Sequence, residues 1–275
     1  MNSVRLLLTG AVALVLASAQ AGADTVVLTN AGARAEIALA GATAISYVPA
    51  GGEEVFFRAP GFRPGTEAFP HGGMPIAWPW FGRKDGSDSG ETIHGFVRSL
   101  QWKVREASAS RAVLTVESSG ESRKRFPHDF RLTCEFRLDR SLSAQLTMEN
   151  TGTEPMPFSS GFHPFFRVSG ESGLHVSGIE GLAEISPSMD KAFPAGKGFC
   201  TLFDPVKKRT FEIRSTGAFR FCVWNDYRQW PEIYAAGGGG EFCCIEPLLS
   251  RGRGIMETLR PNESRSLSIE VSVSK

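Results

Sequence analysis

The chain has 275 residues, of which 41% are hydrophobic and 21% charged, with 30 lysines and arginines against 29 aspartates and glutamates. This near-neutral balance lacks the basic excess of a nucleic-acid-binding protein, so we expect no nucleic-acid partner. A chain of this length can bury a full core, and it fits one large all-β domain better than two ordinary domains.

The N-terminal residues have the pattern of a signal peptide. Arg5 precedes an uncharged apolar run from Leu6 to Ala19, and small residues that suit a cleavage site follow. The run is shorter than the roughly 20 apolar residues that a membrane span needs. We therefore predict that residues 1–23 are a cleaved signal peptide and that residues 24–275 form a single exported, periplasmic domain without a membrane span.

Alternation of apolar and polar residues predicts strands along the rest of the chain. The runs, in chain order, are Thr25–Thr29, Ala35–Leu39, Ala112–Glu117, Phe130–Leu138, Leu142–Met148, Arg209–Ile213, Phe219–Trp224 and Leu267–Val273. The two runs on either side of Asp139–Ser141 predict an antiparallel hairpin with one face on a core. No comparable helical stripe is present, so we predict an all-β, mainly antiparallel fold.

Four segments interrupt this pattern with residues that are costly to bury. They are Gly72–Arg83, His94–Arg98, Gly161–Phe166 and Cys243–Pro247. In the first segment, Trp80 and Phe81 offer flat faces to a sugar ring and Arg83 offers hydrogen-bond donors to its hydroxyls. An ordinary sandwich core explains the aromatic residues equally well.

Three histidines lie in or beside these segments. His94 precedes a glycine that lets a ligand approach closely, although it is also a plausible turn histidine. His163 has apolar neighbours that would hold its pKa within reach of the working pH, and a hydrogen-bonded core histidine is the alternative. Together with His71 they lack the H-x-H or H-x-x-x-H spacing of common metal sites, and the five cysteines lack C-x-x-C spacing, so we expect no metal.

Glu246 ends an apolar run near the C-terminus. Strand alternation places Phe242, Cys244 and Glu246 on one face. An apolar wall disfavours the carboxylate and raises its pKa, which would suit a general base near neutrality. The alternative is a carboxylate that caps the strand or pairs with Arg251 or Arg253.

Taken in order, these segments resemble the aldose 1-epimerase (galactose mutarotase-like) family, and especially its hexose-6-phosphate mutarotase branch. Residues 72–82 are similar to the GG-(I/M)-P-I-x-x-PWFG segment of that branch, and residues 94–98 to its HGFxR segment. Residues 163–166 resemble the HPYF motif of the family, and residues 245–247 its C-terminal (I/V)-E-P motif. The resemblance covers nearly all of residues 24–275.

The resemblance implies a β-supersandwich that interconverts the α and β anomers of a hexose or hexose phosphate without a cofactor. Carried over by position, His163 would protonate the ring oxygen and Glu246 would remove the proton from the C1 hydroxyl. His94 and Arg83 would hold the ring oxygen and the hydroxyls. A non-catalytic carbohydrate-binding protein, or a lyase or hydrolase on the same fold, is the alternative.

Departures from the family pattern bear on the substrate. His71 stands where the phosphate-preferring branch usually has an arginine, whereas Arg98 is retained. Asp226 falls where the family often places a polar sugar contact. We include all three among the candidate sugar-binding residues and, given the predicted export, favour a free hexose over a sugar phosphate.

Overall fold

A computed structural model of the chain describes residues 24–66, 71–84, 90–170, 173–186, 188–225 and 240–275. The strands are β1 (Thr25–Asn30), β2 (Ala33–Ala38), β3 (Thr43–Val48), β4 (Ile76–Ala77), β5 (Lys103–Ala107), β6 (Arg111–Glu117), β7 (Phe130–Leu138), β8 (Leu142–Asn150), β9 (Met156–Phe158), β10 (Ser160–Phe162), β11 (Phe165–Arg167), β12 (His175–Ser177), β13 (Asp190–Pro194), β14 (Phe199–Asp204), β15 (Arg209–Arg214), β16 (Arg220–Trp224), β17 (Phe242–Leu249), β18 (Glu257–Leu259) and β19 (Ser264–Ser274). A short helix, α1 (Gly120–Arg125), and a 3₁₀ turn at Val97–Ser99 accompany them. None of the helices within these described ranges has the length and apolar character needed to cross a membrane.

Two large sheets dominate the described part of the chain. One has eight strands in the order β12-β14-β15-β19-β8-β7-β6-β5. The other has six, in the order β13-β16-β17-β10-β4, with β11 also paired to β17. Smaller sheets join β1-β2-β3 and β18-β9, and every pairing between these strands is antiparallel.

The strand predictions from alternation are confirmed. In the predicted hairpin, Phe130 of β7 faces Asn150 of β8, and Leu138 faces Leu142 beside the turn. Helix α1 was not predicted because its sequence, GESRKR, carries no apolar stripe. It begins instead at a capping box, in which Ser119 and Ser122 satisfy each other's backbone amides.

The main core lies between the two large sheets, and the six-stranded sheet is also covered on its second face. All eight residues of β17 are buried. Cys243 and Ile245 point into the main core, whereas Phe242 and Cys244 belong to a small separate cluster on the opposite face. The alternation predicted around Glu246 is therefore confirmed. A site on the second face of this sheet does not disrupt the packing of the main core.

Gly95 fixes the loop that brings residues 91–98 against this face. It forms a parallel bridge with Trp78 and has a φ of +70°. A Cβ added at Gly95 would lie 1.9 Å from the carbonyl oxygen of Trp78. Only glycine tolerates both the left-handed backbone and this close approach.

Gly95→Ala is expected to lower the free energy of unfolding by about 3 to 5 kcal/mol, because the chain must relieve a backbone clash as well as an unfavourable φ. Gly51→Ala is the matched control. Gly51 has a φ of +64° and no described atom within 4 Å of an added Cβ. It should cost only about 1 kcal/mol. Urea denaturation of both variants measures the difference, and equal losses would contradict this account of the loop.

Candidate active site

The centre of the candidate site is a contact between His163 and Glu246. Glu246 lies on β17, directly opposite Cys222 of β16, and is 1% exposed. His163 follows β10, is 4% exposed, and donates its backbone N–H to the carbonyl of Pro75 at 3.0 Å. Nε2 of His163 lies 3.3 Å from Oε1 of Glu246. The two side chains that the sequence proposed as acid and base thus meet on one face of one sheet.

Aromatic rings form a wall around this contact. The ring of Phe165 stacks on His163 with centroids 4.8 Å apart and an interplanar angle of 20°. Trp224 approaches His163 edge-on at 6.0 Å and packs against Phe242 at 5.2 Å. Trp224 is partly exposed, whereas Phe165 and Phe242 are buried. The pair is therefore desolvated on the protein side and bordered by an aromatic face that reaches solvent.

Burial drives both groups of the pair towards their uncharged forms. Desolvation raises the pKa of Glu246 well above its ordinary value, and Arg253 opposes this shift only in part. The direction predicted for Glu246 is confirmed. Desolvation, followed by the charge of His71, lowers the pKa of His163 well below its ordinary value. The sequence prediction that the pKa of His163 stays within reach of the working pH was wrong, because burial disfavours the charged imidazolium more strongly than its apolar neighbours in the sequence suggested.

One oxygen of Glu246 is buried without a hydrogen bond in the described part of the chain. Among the described residues, Oε1 accepts no hydrogen bond of good geometry, even though Nε2 of His163 is close. A buried polar atom without a hydrogen bond is costly and uncommon in native proteins. Such an atom is expected where a substrate supplies the missing partner.

His94 lies beside the pair with its ring in a fixed orientation. Its ring is 5.0 Å from that of His163 at an angle of 87°, and 4.8 Å from that of Phe81. Nδ1 accepts a hydrogen bond of 3.1 Å from the backbone N–H of Gly82. Burial and the charge of His163 lower the pKa of His94 well below its ordinary value. A neutral imidazole that accepts at Nδ1 carries its proton on Nε2, so His94 offers a hydrogen-bond donor.

Arg98 and His71, predicted to bind sugar or phosphate, are both buried. Arg98 is 2% exposed, and its Nη1 donates to the carbonyls of Ile93, at 2.8 Å, and Gly95. These bonds hold the backbone on both sides of His94. Burial, followed by the charge of Arg98, lowers the pKa of His71 to about 4. His71 is therefore uncharged at neutral pH.

The remaining predicted site residues differ in their placement. Phe81 is buried against His94, and Arg83 is exposed. Trp80 is 2% exposed within the main core, and its Nε1 donates to the carbonyl of Thr92 at 2.9 Å. Trp80 thus has the surroundings that its core interpretation predicts. Asp226 lies outside the described residues, so its role stays a prediction.

The sequence analysis missed an ion pair beside Glu246. Arg253, in the turn after β17, forms an ion pair with Asp190 of β13. Arg251 instead approaches Glu257 at 4.0 Å. Among the described residues, neither arginine forms an ion pair with Glu246, which was the alternative that the sequence left open. The partner of Arg253 was not predictable because it depends on the pairing of β13 with β16.

Comparison with other proteins identifies similar chains. A family model described as "Aldose 1-epimerase" matches residues 24–198. A Salmonella typhimurium (strain LT2) protein named "Putative glucose-6-phosphate 1-epimerase" is 32% identical over 223 residues, which cover 74% of each chain. The Escherichia coli (strain K12) protein of the same name is 34% identical over 162 residues, which cover 57% of this chain and 52% of that relative. The match therefore spans about half the length of the Escherichia coli relative.

The fold is shared with a solved structure. The crystal structure of a "putative mutarotase" from Salmonella typhimurium has a TM-score of 0.77 and 23% sequence identity, over 91% of this chain and 90% of that chain. At this level of identity the likeness establishes the fold. The chain has the antiparallel, mutarotase-like β-supersandwich that the resemblance implied.

Glu246→Gln is expected to unfold at a temperature several degrees above the wild type at pH 8, and at nearly the same temperature near pH 4. Below the ordinary pKa of 4.5, the carboxyl is protonated in both the folded and the unfolded chain. As the pH rises, the unfolded chain ionises while burial resists ionisation in the folded chain, so stability is lost towards the raised pKa. A change of 1 kcal/mol shifts Tm by roughly 2 to 4 °C in a chain of this size.

Thermal melts across this pH range, followed by circular dichroism, measure the difference. The control is Glu184→Gln, because the side chain of Glu184 is 67% exposed. A Glu246→Gln variant that melts below the wild type at pH 8, or a difference that does not change with pH, would contradict the burial argument.

Proposed function

The chain belongs to the aldose 1-epimerase family, and we propose that it is a mutarotase, an isomerase that interconverts the α and β anomers of a hexose. The observation that supports this most is the 3.3 Å separation of His163 Nε2 and Glu246 Oε1 on one apolar face. The ring oxygen O5 and the hydroxyl oxygen O1 of a sugar are bonded to the same carbon, C1. One sugar can therefore present both oxygens to both groups at hydrogen-bond distance.

The reaction opens and recloses the ring by two proton transfers. His163 gives a proton to O5 while Glu246 takes the proton of the C1 hydroxyl, so the C1–O5 bond breaks and a C1=O1 aldehyde forms. Rotation about C1–C2 then turns the other face of the aldehyde towards the O5 hydroxyl. In ring closure, His163 takes back the O5 proton, Glu246 returns a proton to O1, and the opposite anomer is released.

This cycle needs one proton shared between the two groups. The pKa shifts of the pair favour neutral imidazole and protonated carboxyl in the absence of sugar. The 3.3 Å contact then lets that proton pass to His163, which makes the ion-paired form that opens the ring. Because the pKa of His163 is lowered and that of Glu246 raised, the pair holds one proton over a wide range of pH.

Neighbouring groups position the sugar for these transfers. The Nε2–H of His94 donates to the ring oxygen or to an adjacent hydroxyl, in a direction fixed by the bond from Gly82 to Nδ1. The partly exposed ring of Trp224 provides an apolar surface for one face of the sugar. These roles need no cofactor, since positioned acid and base groups contribute about 10²- to 10⁴-fold each.

A non-catalytic carbohydrate-binding protein would explain the aromatic surface but not the buried pair. A carboxyl that is buried beside an imidazole, with one oxygen lacking a hydrogen bond, lowers the stability of the folded protein. Sugar binding alone does not require such a group. The cost is explained when the same two groups carry out proton transfer. We therefore favour catalysis over binding alone.

We also propose that the substrate is a free hexose, encountered in the periplasm after export directed by residues 1–23. Among the described cations near the pair, Arg98 bonds backbone carbonyls and Arg253 pairs with Asp190. His71, at the position where an arginine would contact a phosphate, is neutral. Because two of these groups are already bonded within the protein and the third is neutral, the described surface near the pair suits the hydroxyls of a sugar better than a phosphate dianion.

Glu246→Gln and His163→Asn are each expected to lower the mutarotation rate of α-glucose or α-galactose by at least about 100-fold. Polarimetry of freshly dissolved sugar measures the rate, and circular dichroism checks the fold. The matched controls are Glu184→Gln and His175→Asn, because these two side chains also lie 3.4 Å apart but are exposed. The assignment fails if the active-site variants keep wild-type rates. Sugar binding without any acceleration by the wild type would favour the non-catalytic alternative.

The free hexoses are expected to react with a kcat/KM at least about tenfold above that of glucose 6-phosphate, because a phosphate would lose hydration beside cations that are already bonded within the protein, Arg98 and Arg253, and beside a neutral His71. A coupled assay that consumes one anomer of each sugar gives the comparison. A preference for the phosphate would overturn the substrate proposal while leaving the acid–base pair in place.

A further inference from the structure

A third side chain converges on the same point as the acid–base pair. Cys244 lies two residues before Glu246 on β17, on the same face, opposite Phe165 of β11 and Trp224 of β16. Its Sγ, a nitrogen of His163 and a carboxylate oxygen of Glu246 all lie within 4.8 Å of one another. All three residues are buried. An imidazole nitrogen, a thiol sulfur and a carboxyl oxygen are thus gathered in one small buried volume.

The separation of the nitrogen and the oxygen matches that around a tetrahedral zinc ion. With Zn–N and Zn–O bonds of about 2.1 Å, two tetrahedral ligand atoms lie about 3.4 Å apart. Nε2 of His163 and Oε1 of Glu246 are 3.3 Å apart. The sulfur needs to come within about 3.5 Å of the nitrogen, given a Zn–S bond of about 2.3 Å. The sulfur lies within 4.8 Å of the nitrogen, so it needs to move inwards by at most about 1.3 Å to complete the site.

The chemistry of the three groups points to the same kind of ion. Imidazole and thiolate select zinc and similar thiophilic cations over magnesium or calcium, which prefer all-oxygen sites. A thiolate and a carboxylate would balance the two positive charges, so the buried complex would be neutral, as its apolar walls require. The oxygen of Glu246 that accepts no hydrogen bond among the described residues supplies a ready ligand. A fourth position is left for water or a sugar hydroxyl.

We infer that His163, Cys244 and Glu246 form a binding site for zinc or a similar thiophilic divalent cation, and that occupation of this site inhibits the enzyme reversibly. The ion would take the electron pairs of Nε2 and Oε1, the two atoms that move protons in the proposed reaction. Inhibition rests on the proposed function, whereas binding of the ion does not. Spacing along the sequence could not reveal this site, because His163 follows β10 and only the fold brings it beside Cys244 and Glu246 of β17.

The test is a titration of the full chain with Zn²⁺ and with Co²⁺, whose absorption spectrum reports thiolate ligation. We expect one ion per chain, a sulfur-to-cobalt charge-transfer band, and loss of epimerase activity that a chelator restores. Mg²⁺ at the same concentration should have no effect. Cys244→Ser should weaken binding and inhibition at least about tenfold, while keeping metal-free activity within about twofold of the wild type.

The neighbouring cysteine provides the matched control. Cys243 is equally buried but points into the main core, so Cys243→Ser should bind zinc as the wild type does. His163→Asn should weaken cobalt binding at least about tenfold, whatever its activity. Binding that is unchanged in Cys244→Ser, or no binding by the wild type, would overturn the site. Cysteine-dependent binding by a protein without epimerase activity would support the metal site and refute the proposed function instead.

Discussion

A carboxyl group enclosed by aromatic rings can remain in a folded protein only if it is neutral, paired or supplied with a ligand. Glu246 meets this constraint on a strand whose eight residues are all buried. Its nearest described polar partner is the imidazole of His163, and desolvation acts on both groups in the direction that removes charge. In the proposed mechanism this pair holds one movable proton in a low-dielectric setting, and the roles proposed for the rest of the site depend on it.

The fold places the main core and the buried polar groups of the site on opposite faces of one sheet. The six-stranded sheet places Cys243 and Ile245 in the main core and leaves Glu246 to the opposite face, so the costly carboxyl does not interrupt the core packing. The loop that carries His94 is then held against that face by Gly95 and by the buried guanidinium of Arg98. The position of His94 is therefore determined by the backbone conformation of Gly95 and by the hydrogen bonds of Arg98, and not by a large apolar contact.

The sequence predicted the elements that obey local rules and missed those that depend on register. Alternation predicted β7, β8 and the face of β17 on which Glu246 lies, because side chains alternate between the two faces of a strand whatever its neighbouring strands are. It could not show that Asp190 and Arg253 meet, since this contact arises from the pairing of β13 with β16. Residue type was also ambiguous, because an arginine or a tryptophan within a motif can either bind a ligand or hydrogen-bond the protein backbone. Arg98 and Trp80 are buried and donate to backbone carbonyls.

The ion pair between Arg253 and Asp190 explains how positive charge can act near Glu246 without neutralising it. A direct salt bridge to Glu246 would hold the carboxyl ionised and would compete with the substrate for its oxygens. With Arg253 engaged by Asp190, its field opposes the desolvation of Glu246 only in part, and the pKa of that carboxyl stays raised. Among the described residues, the same arrangement leaves Oε1 without a hydrogen bond. In the proposed reaction Glu246 accepts and returns a proton in each cycle, and this role suits an intermediate environment, since a carboxylate held ionised would not return the proton and an unassisted buried acid would not release one.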